Sequence, residues 1–386
     1  MSLAHTAMAL YDRMTVEDIL VLDGEVGGGI RKMVPQQSHT RLVPASILVE
    51  DPLLVRDLHI AYIEAGAQII TTNTYATSQQ RVEELLQMGD RWEEMLATAC
   101  HMAVMAREAS GKDVLIAGSL PPLAGSYRPD MVGLAEELLP KYMKHVIVMA
   151  EYVDFFLCET MSTALEGWAA ASAASKSGKP VWVSWNLVDD GSSRLRSGET
   201  LEQAWEAVAT LSVDGVLVNC CMPETVTVAM QSLACMGPSI YGGYANGFSS
   251  IPVGWKLEHS GINGLGKRYD LTPPMYADFA QQWIDAGARV VGGCCEIGPT
   301  HIALLRGRFA PDPVASSIDD RCFAMNDVSM SSIASTRHSA DFLQANSAST
   351  ASSHISWCST CRMNKEATSD HGASNPKTLD DIVFQP

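Results

Sequence analysis

Positive charge is what this chain of 386 residues is shortest of: 27 Lys and Arg face 44 Asp and Glu, a formal net charge of −17. That deficit argues against nucleic acid or an anionic membrane as a main partner. The chain also has no uncharged apolar run of membrane-spanning length; residues 142–156 are broken by Lys144, His145, Glu151 and Asp154. Residues 1–14 show no basic segment followed by a continuous apolar stretch, so no export signal is expected and the expected compartment is the cytoplasm. Ten cysteines in a chain this long do not make a disulfide framework. Most, such as Cys100, Cys158, Cys220 and Cys235, lie in apolar segments where a buried free thiol is ordinary.

Nucleotide-binding signatures are missing too. Residues 261–267 fit Gly-x4-Gly-Lys, but Arg268 stands where a Mg²⁺-binding Ser or Thr belongs, and no strand precedes the segment. The run Gly24-Glu-Val-Gly-Gly-Gly29 lacks the GxGxxG spacing and reads as a loop whose backbone approaches a ligand closely.

What is present is a regular alternation. Short apolar segments at 19–24, 68–74, 114–119, 154–160, 180–187, 216–220, 239–247 and 289–294 read as strands. Between them lie helical patterns at 51–65, 92–110, 134–151, 162–177, 200–211, 225–236 and 273–286. Strand count and near-even spacing predict an α/β fold, a (β/α)8 TIM barrel, rather than an open doubly wound sheet. Asp23, Thr72, Ser119, Glu159, Asn186, Asn219, Cys220, Asn246, Cys294 and Cys295 all fall at strand C-terminal ends, the face where barrel enzymes carry their chemistry. The barrel is expected over 1–310. Residues 311–386, rich in Ser, Thr, Ala and Asp, are expected to be a disordered tail whose Cys358 and Cys361 are solvated thiols.

The cysteines are the strongest signal. Cys294 and Cys295 follow Gly292-Gly293, which makes a bend at the strand end sterically cheap and lets neighbouring side chains converge. Cys220 ends another apolar strand on the same rim, whereas Cys221 should point away. Three buried structural thiols would explain Cys158 or Cys235 but not this placement. Three thiolates suit Zn²⁺ and leave a fourth tetrahedral position open.

Val291-Gly-Gly-Cys-Cys-Glu-Ile-Gly-Pro-Thr-His-Ile302 resembles the Gly-Gly-Cys-Cys motif of the homocysteine S-methyltransferase family. Asn219-Cys220 is similar to its upstream cysteine, and Leu22-Asp-Gly-Glu-Val-Gly27 to its opening Asp-Gly loop. Thr71-Thr-Asn-Thr-Tyr75 and Cys158-Glu-Thr160 fall where the family has its Thr-rich strand and its Glu. The resemblance spans about residues 15–310, and Glu25 and Glu296 depart from it by replacing small residues. It implies a barrel in which Cys220, Cys294 and Cys295 hold a Zn²⁺ that binds the thiol of homocysteine and keeps it ionised. Asp23 and Glu159 would take the α-ammonium. Thr72 and the Gly24–Gly29 backbone would take the carboxylate, with Gly24 and Asn219 also expected at the substrate.

The thiolate would attack a methyl group on a small cationic donor, giving methionine. Betaine-using members place an aromatic directly after the strand-four Glu, and here that residue is Thr160. S-Methylmethionine is therefore the expected donor, with Tyr75, Trp185 and Tyr244 as cation–π partners; betaine or another small sulfonium or ammonium compound is the alternative. A non-catalytic, redox-sensing zinc barrel is the reading from another class, against which intact Asp23 and Glu159 weigh.

Overall fold

The computed structural model describes residues 19–34, 43–252, 254–255 and 265–310. The expected tail, with Cys358 and Cys361, lies outside the described residues, as does most of the 261–267 segment. The first half alternates β1 (Leu20–Val21), α1 (Val26–Met33), α2 (Val43–Glu50), α3 (Leu53–Glu64), β2 (Ile69–Thr71), α4 (Gln79–Leu86), α5 (Trp92–Ser110), β3 (Leu115–Leu120), α6 (Ala135–Met149) and β4 (Phe155–Met161). The second half runs α7 (Ala164–Ser175), β5 (Val181–Trp185), α8 (Leu201–Val208), β6 (Gly215–Asn219), α9 (Pro223–Met236), β7 (Tyr241–Tyr244), α10 (Pro273–Asp285), β8 (Val290–Val291) and α11 (Pro299–Phe309).

Local chemistry explains many boundaries. Pro sits in the first turn of α9, α10 and α11, where its missing N–H has no intrahelical role to lose. Thr200 and Gln203 form a reciprocal capping box at the start of α8. Gly111 and Gly237 end α5 and α9 in the left-handed conformation that glycine adopts without penalty.

The eight strands form one parallel sheet in the order β1-β8-β7-β6-β5-β4-β3-β2. The remaining seam between β1 and β2 is closed by a parallel bridge from Leu22 to Ile69, with the Gln68 N–H donating to Val21 O at 2.8 Å and the Asp23 N–H to Ile69 O at 2.9 Å. This is a closed (β/α)8 barrel. Its strand side chains alternate between two packing layers, as the period of two requires. Leu20, Leu22, Ile69, Leu115, Ala117, Phe155, Leu157, Trp182, Leu217, Tyr244 and Val290 fill the interior. Val21, Ile70, Ile116, Phe156, Cys158, Val183 and Val218 pack outward against the helices.

Two expectations change. The Gly27-Gly28-Gly29 run forms part of the first half of α1 rather than a loop, and there a Cβ on Gly28 would collide with the Glu25 side chain and one on Gly29 would sit 2.9 Å from Leu58. The first and last strands are two residues each, shorter than read from sequence, because the chain leaves the ladder early to build the rim. No described helix is long and apolar enough to cross a membrane.

Candidate active site

A cavity of about 580 Å³ opens at the C-terminal rim of the barrel, and Asp23, Gly24, Thr72, Glu159, Cys220, Cys294 and Cys295 all line it. The ligand atoms of Cys220, Cys294 and Cys295 lie within 4.8 Å of one another, with both Cys220–Cys295 and Cys294–Cys295 sulfurs 3.9 Å apart. Sulfurs bound to one tetrahedral Zn²⁺ at about 2.3 Å would stand about 3.8 Å apart, so the trio fits a single ion of that kind. Hydrogen bonds from Cys294 and Cys295, then from Tyr127, hold the Cys220 thiol well below its ordinary range. Cys221 packs outward with the helices, as alternation demands.

The local backbone makes this convergence possible, though not by the route the glycines suggested. Gly292 and Gly293 are needed for close approach rather than for an unusual φ. A Cβ on Gly292 would sit 2.5 Å from Leu22 Cβ, and one on Gly293 would sit 2.2 Å from Ile297 Cγ2. A Cβ on Gly24 would likewise meet Ile297 O at 2.1 Å. The left-handed turns fall instead on Cys220 (φ 56°) and Glu296 (φ 66°), with Thr160 and Tyr127 in the same region beside them. Non-glycine residues persist there only where surroundings over-determine them, and such residues cluster at functional sites.

Two carboxylates lie deep in the cavity. Asp23 accepts the Thr71 N–H at 2.7 Å and the Thr71 hydroxyl at 3.0 Å. Glu159 accepts the Ser119 hydroxyl and, at 3.2 Å, that of Tyr244. Burial raises both acids, Asp23 well above its ordinary value and Glu159 to about 7, and Glu159 adds a repulsive push on Asp23. An ammonium group placed against this pair would relieve both the desolvation and the repulsion.

Other expected contacts differ. The Thr72 hydroxyl accepts the Ser119 N–H at 3.0 Å and bonds the Thr74 hydroxyl at 2.9 Å, stapling β2 to β3. The neighbouring Thr71 instead turns its N–H and hydroxyl to Asp23. Asn219 is fully buried: its Oδ1 accepts the Thr160 N–H (2.9 Å) and the Ser184 hydroxyl (2.7 Å), and its Nδ2 donates to Thr160 Oγ1 (2.8 Å). It holds Thr160 in its left-handed conformation and does not line the cavity. Trp185, expected as a cation–π partner, points into the outer core, since Trp182 and Ser184 occupy the inward positions of β5.

Sequence reading missed three rings. Tyr127, Phe248 and Trp255 come from loops, pack around Cys220, Cys294 and Cys295, and line the cavity with Tyr75 and Tyr244. Tyr127 and Trp255 meet edge to face at 5.6 Å. Only their position in the long loops after β3 and β7 could have flagged them. The two departures, Glu25 and Glu296, form a chain of ion pairs at the rim: Lys32 lies 2.7 Å from Glu25 and 3.3 Å from Glu296, and Lys267 lies 2.6 Å from Glu296.

The family profile for homocysteine S-methyltransferase matches residues 20–309. The chain belongs to the homocysteine S-methyltransferase family. This methyltransferase superposes on the metallated crystal form of the homocysteine methyltransferase MmuM from Escherichia coli with a TM-score of 0.63 at 26% identity, covering 78% of this chain and 99% of that one. It is 25% identical to S-methylmethionine–homocysteine S-methyltransferase BHMT2 of Pongo abelii, covering 69% of this chain and 72% of the relative. It is 26% identical to betaine-homocysteine S-methyltransferase of Drosophila melanogaster, covering 66% and 83%. As a member of this family the methyltransferase acts on homocysteine, and its three-cysteine cluster could hold a metal ion.

Proposed function

We propose that this methyltransferase carries Zn²⁺ on Cys220, Cys294 and Cys295 and takes its methyl group from S-methylmethionine. The carrying observation is the joint placement of three close sulfurs and two buried acids in one cavity that also holds Tyr127, Phe248 and Trp255. A bound Zn²⁺ would keep the homocysteine thiol ionised near neutral pH.

Asp23 and Glu159 take the α-ammonium and so fix the substrate's orientation. The first-turn N–H groups of α1 at Val26 and Gly27, which line the cavity, face the carboxylate. The aromatic faces receive the donor cation and exclude water from it. An S–CH3 bond forms on homocysteine as the CH3–S⁺ bond of the donor breaks. The bonding pair stays on the donor sulfur, which leaves as a neutral thioether, so no general acid is required. The side chain after Glu159 is that of Thr160, bound to Asn219, which supplies no ring for a trimethylammonium group at that point and supports a sulfonium donor over betaine.

Incubating zinc-loaded protein with homocysteine and isotopically labelled S-methylmethionine, betaine or other sulfonium compounds, and following labelled methionine, tests the assignment. Fastest transfer from S-methylmethionine is expected; faster turnover with betaine refutes the donor. The family and the acidic amino-acid pocket weigh against a non-catalytic zinc store, which needs neither.

A further inference from the structure

A buried ionic assembly adjoins Cys220, and the methyl-transfer chemistry does not use it. We propose that Arg196, acting through Asn186 and Tyr127, is a positioning residue that sets Cys220 in metal-binding geometry before any ion arrives. This rests on the reading of the three cysteines as metal ligands.

Cys220 is left-handed, a conformation its own side chain does not favour. Asn186 Nδ2 donates to the Asn219 carbonyl at 3.0 Å and to the Cys220 carbonyl at 2.7 Å. Those carbonyls belong to the two peptide planes flanking Cys220, so one amide group fixes both of its backbone dihedrals. Which way that amide faces is set by Arg196, whose Nε donates to Asn186 Oδ1 at 2.7 Å. Without that donor, the amide loses the contact that keeps its NH2 on the carbonyls.

Arg196 reaches the sulfur by a second route. Its guanidinium lies 5.2 Å from the centre of the Tyr127 ring, and the Tyr127 hydroxyl stands 2.9 Å from Cys220 Sγ. The remaining contacts lock the guanidinium in place: Nη1 donates to Ile251 O at 2.9 Å, and Nη2 lies 3.5 Å from Asp189 Oδ2. Asp189 in turn accepts the Met222 N–H, the Thr225 hydroxyl and the Ile251 N–H, tying the start of α9 to the same block. The Arg196 side chain is 4% exposed, and its Nη2 has no hydrogen-bond partner among the described residues. A lysine lacks the planar fork that spans Asn186 and Ile251 together.

The test measures Zn²⁺ affinity by competition with a chromogenic chelator, alongside the thiolate-to-metal absorption of the Co²⁺-loaded protein and the rise in Tm on adding Zn²⁺. Arg196→Met is expected to weaken Zn²⁺ binding by about 10–100-fold, the range for residues that orient metal ligands. It should also shrink the Zn²⁺-induced rise in Tm and alter the Co²⁺ spectrum. Arg196→Lys should recover only part of the affinity, and exposed Arg194→Met none of the effect. A merely structural role predicts a lower Tm in metal-free and metal-loaded forms alike with affinity unchanged, which overturns the proposal. Should Arg196→Met not fold, Arg196→Lys and Tyr127→Phe decide instead: wild-type affinity in both overturns it. A wild-type chain that takes up no Zn²⁺ overturns the metal reading itself, whereas wild-type uptake with unaltered variants overturns only the role of Arg196.

Discussion

Replacing Glu159 with Gln separates what this residue costs the fold from what it gives the substrate. Burial lifts its carboxyl from the ordinary 4.5 to about 7, against the opposing hydrogen bonds from Ser119 and Tyr244. Between those values the folded chain keeps a proton that the unfolded chain has released, so the stability contribution is present at low pH and is lost as pH rises through about 7. The span from 4.5 to about 7, at about 1.36 kcal/mol per pH unit, makes ionised Glu159 a burden of about 3 kcal/mol on the substrate-free protein. Glu159→Gln should therefore raise the Tm of substrate-free protein at pH 8 by up to several degrees. The same change should weaken homocysteine. Loss of one partner from a buried charge pair costs about 2–5 kcal/mol, and with Asp23 still present the lower half applies, about 30–300-fold in KM. Wild-type affinity for homocysteine should also fall as pH drops below about 7, and the variant should lack that inflection. The assays are thermal unfolding without substrate, homocysteine KM across pH 5.5–8.5, and metal content. An unchanged KM with an unchanged Tm refutes the reasoning; loss of metal would move Glu159 into the metal shell.

Cys220→Ala, Cys294→Ala and Cys295→Ala should each abolish methyl transfer and lower bound metal, while Cys158→Ala and Cys221→Ala keep both at a packing cost of about 1 kcal/mol, as read by metal analysis and turnover. Gly24→Ala would put a Cβ 2.1 Å from Ile297 O, so a stability loss of about 1–3 kcal/mol with reduced metal binding is expected from denaturant titration and metal assay. Trp255→Ala should raise the donor KM about tenfold while leaving homocysteine KM near wild type, because its ring packs with Tyr127 and Phe248 in the aromatic group assigned to the donor cation; equal effects on both would refute the division.

Strand ends were legible because the barrel repeats one unit, and polar residues interrupting apolar segments mark where each unit meets the rim. Cys220 against Cys221 could be resolved from alternation alone. Thr71 against Thr72 could not: both are threonine, they lie where β2 ends, and the partners that engage each hydroxyl, Asp23 for Thr71 and Ser119 with Thr74 for Thr72, are set by pairing with β1 and β3. Asn219 read as a ligand residue because a buried Asn at a rim carries no mark of which partner its amide takes; here the partners are Thr160 and Ser184. Trp185 was misplaced by one step of the same alternation. Tyr127, Phe248 and Trp255 lay beyond reach because loops have no period from which a direction can be read. The glycine-rich α1 was hidden for a different reason: helix propensity disfavours three consecutive glycines, and the close approach of Glu25 and Leu58 that requires glycine at 28 and 29 is a tertiary feature.

The seam where β8 meets β1 gives the protein an order in time. Asp23 leaves the first strand and Cys294 and Cys295 follow the last, with the Gly293 N–H donating to Asp23 O across the join at 3.0 Å. A growing chain that has made everything through β7 owns Cys220 and both acids, but only one of the three sulfurs. An ion held by all three sulfurs could therefore be captured only by a chain that has emerged past residue 295 and closed the ring. A chain interrupted before β8 would lack two of the three sulfurs and could not assemble the cluster.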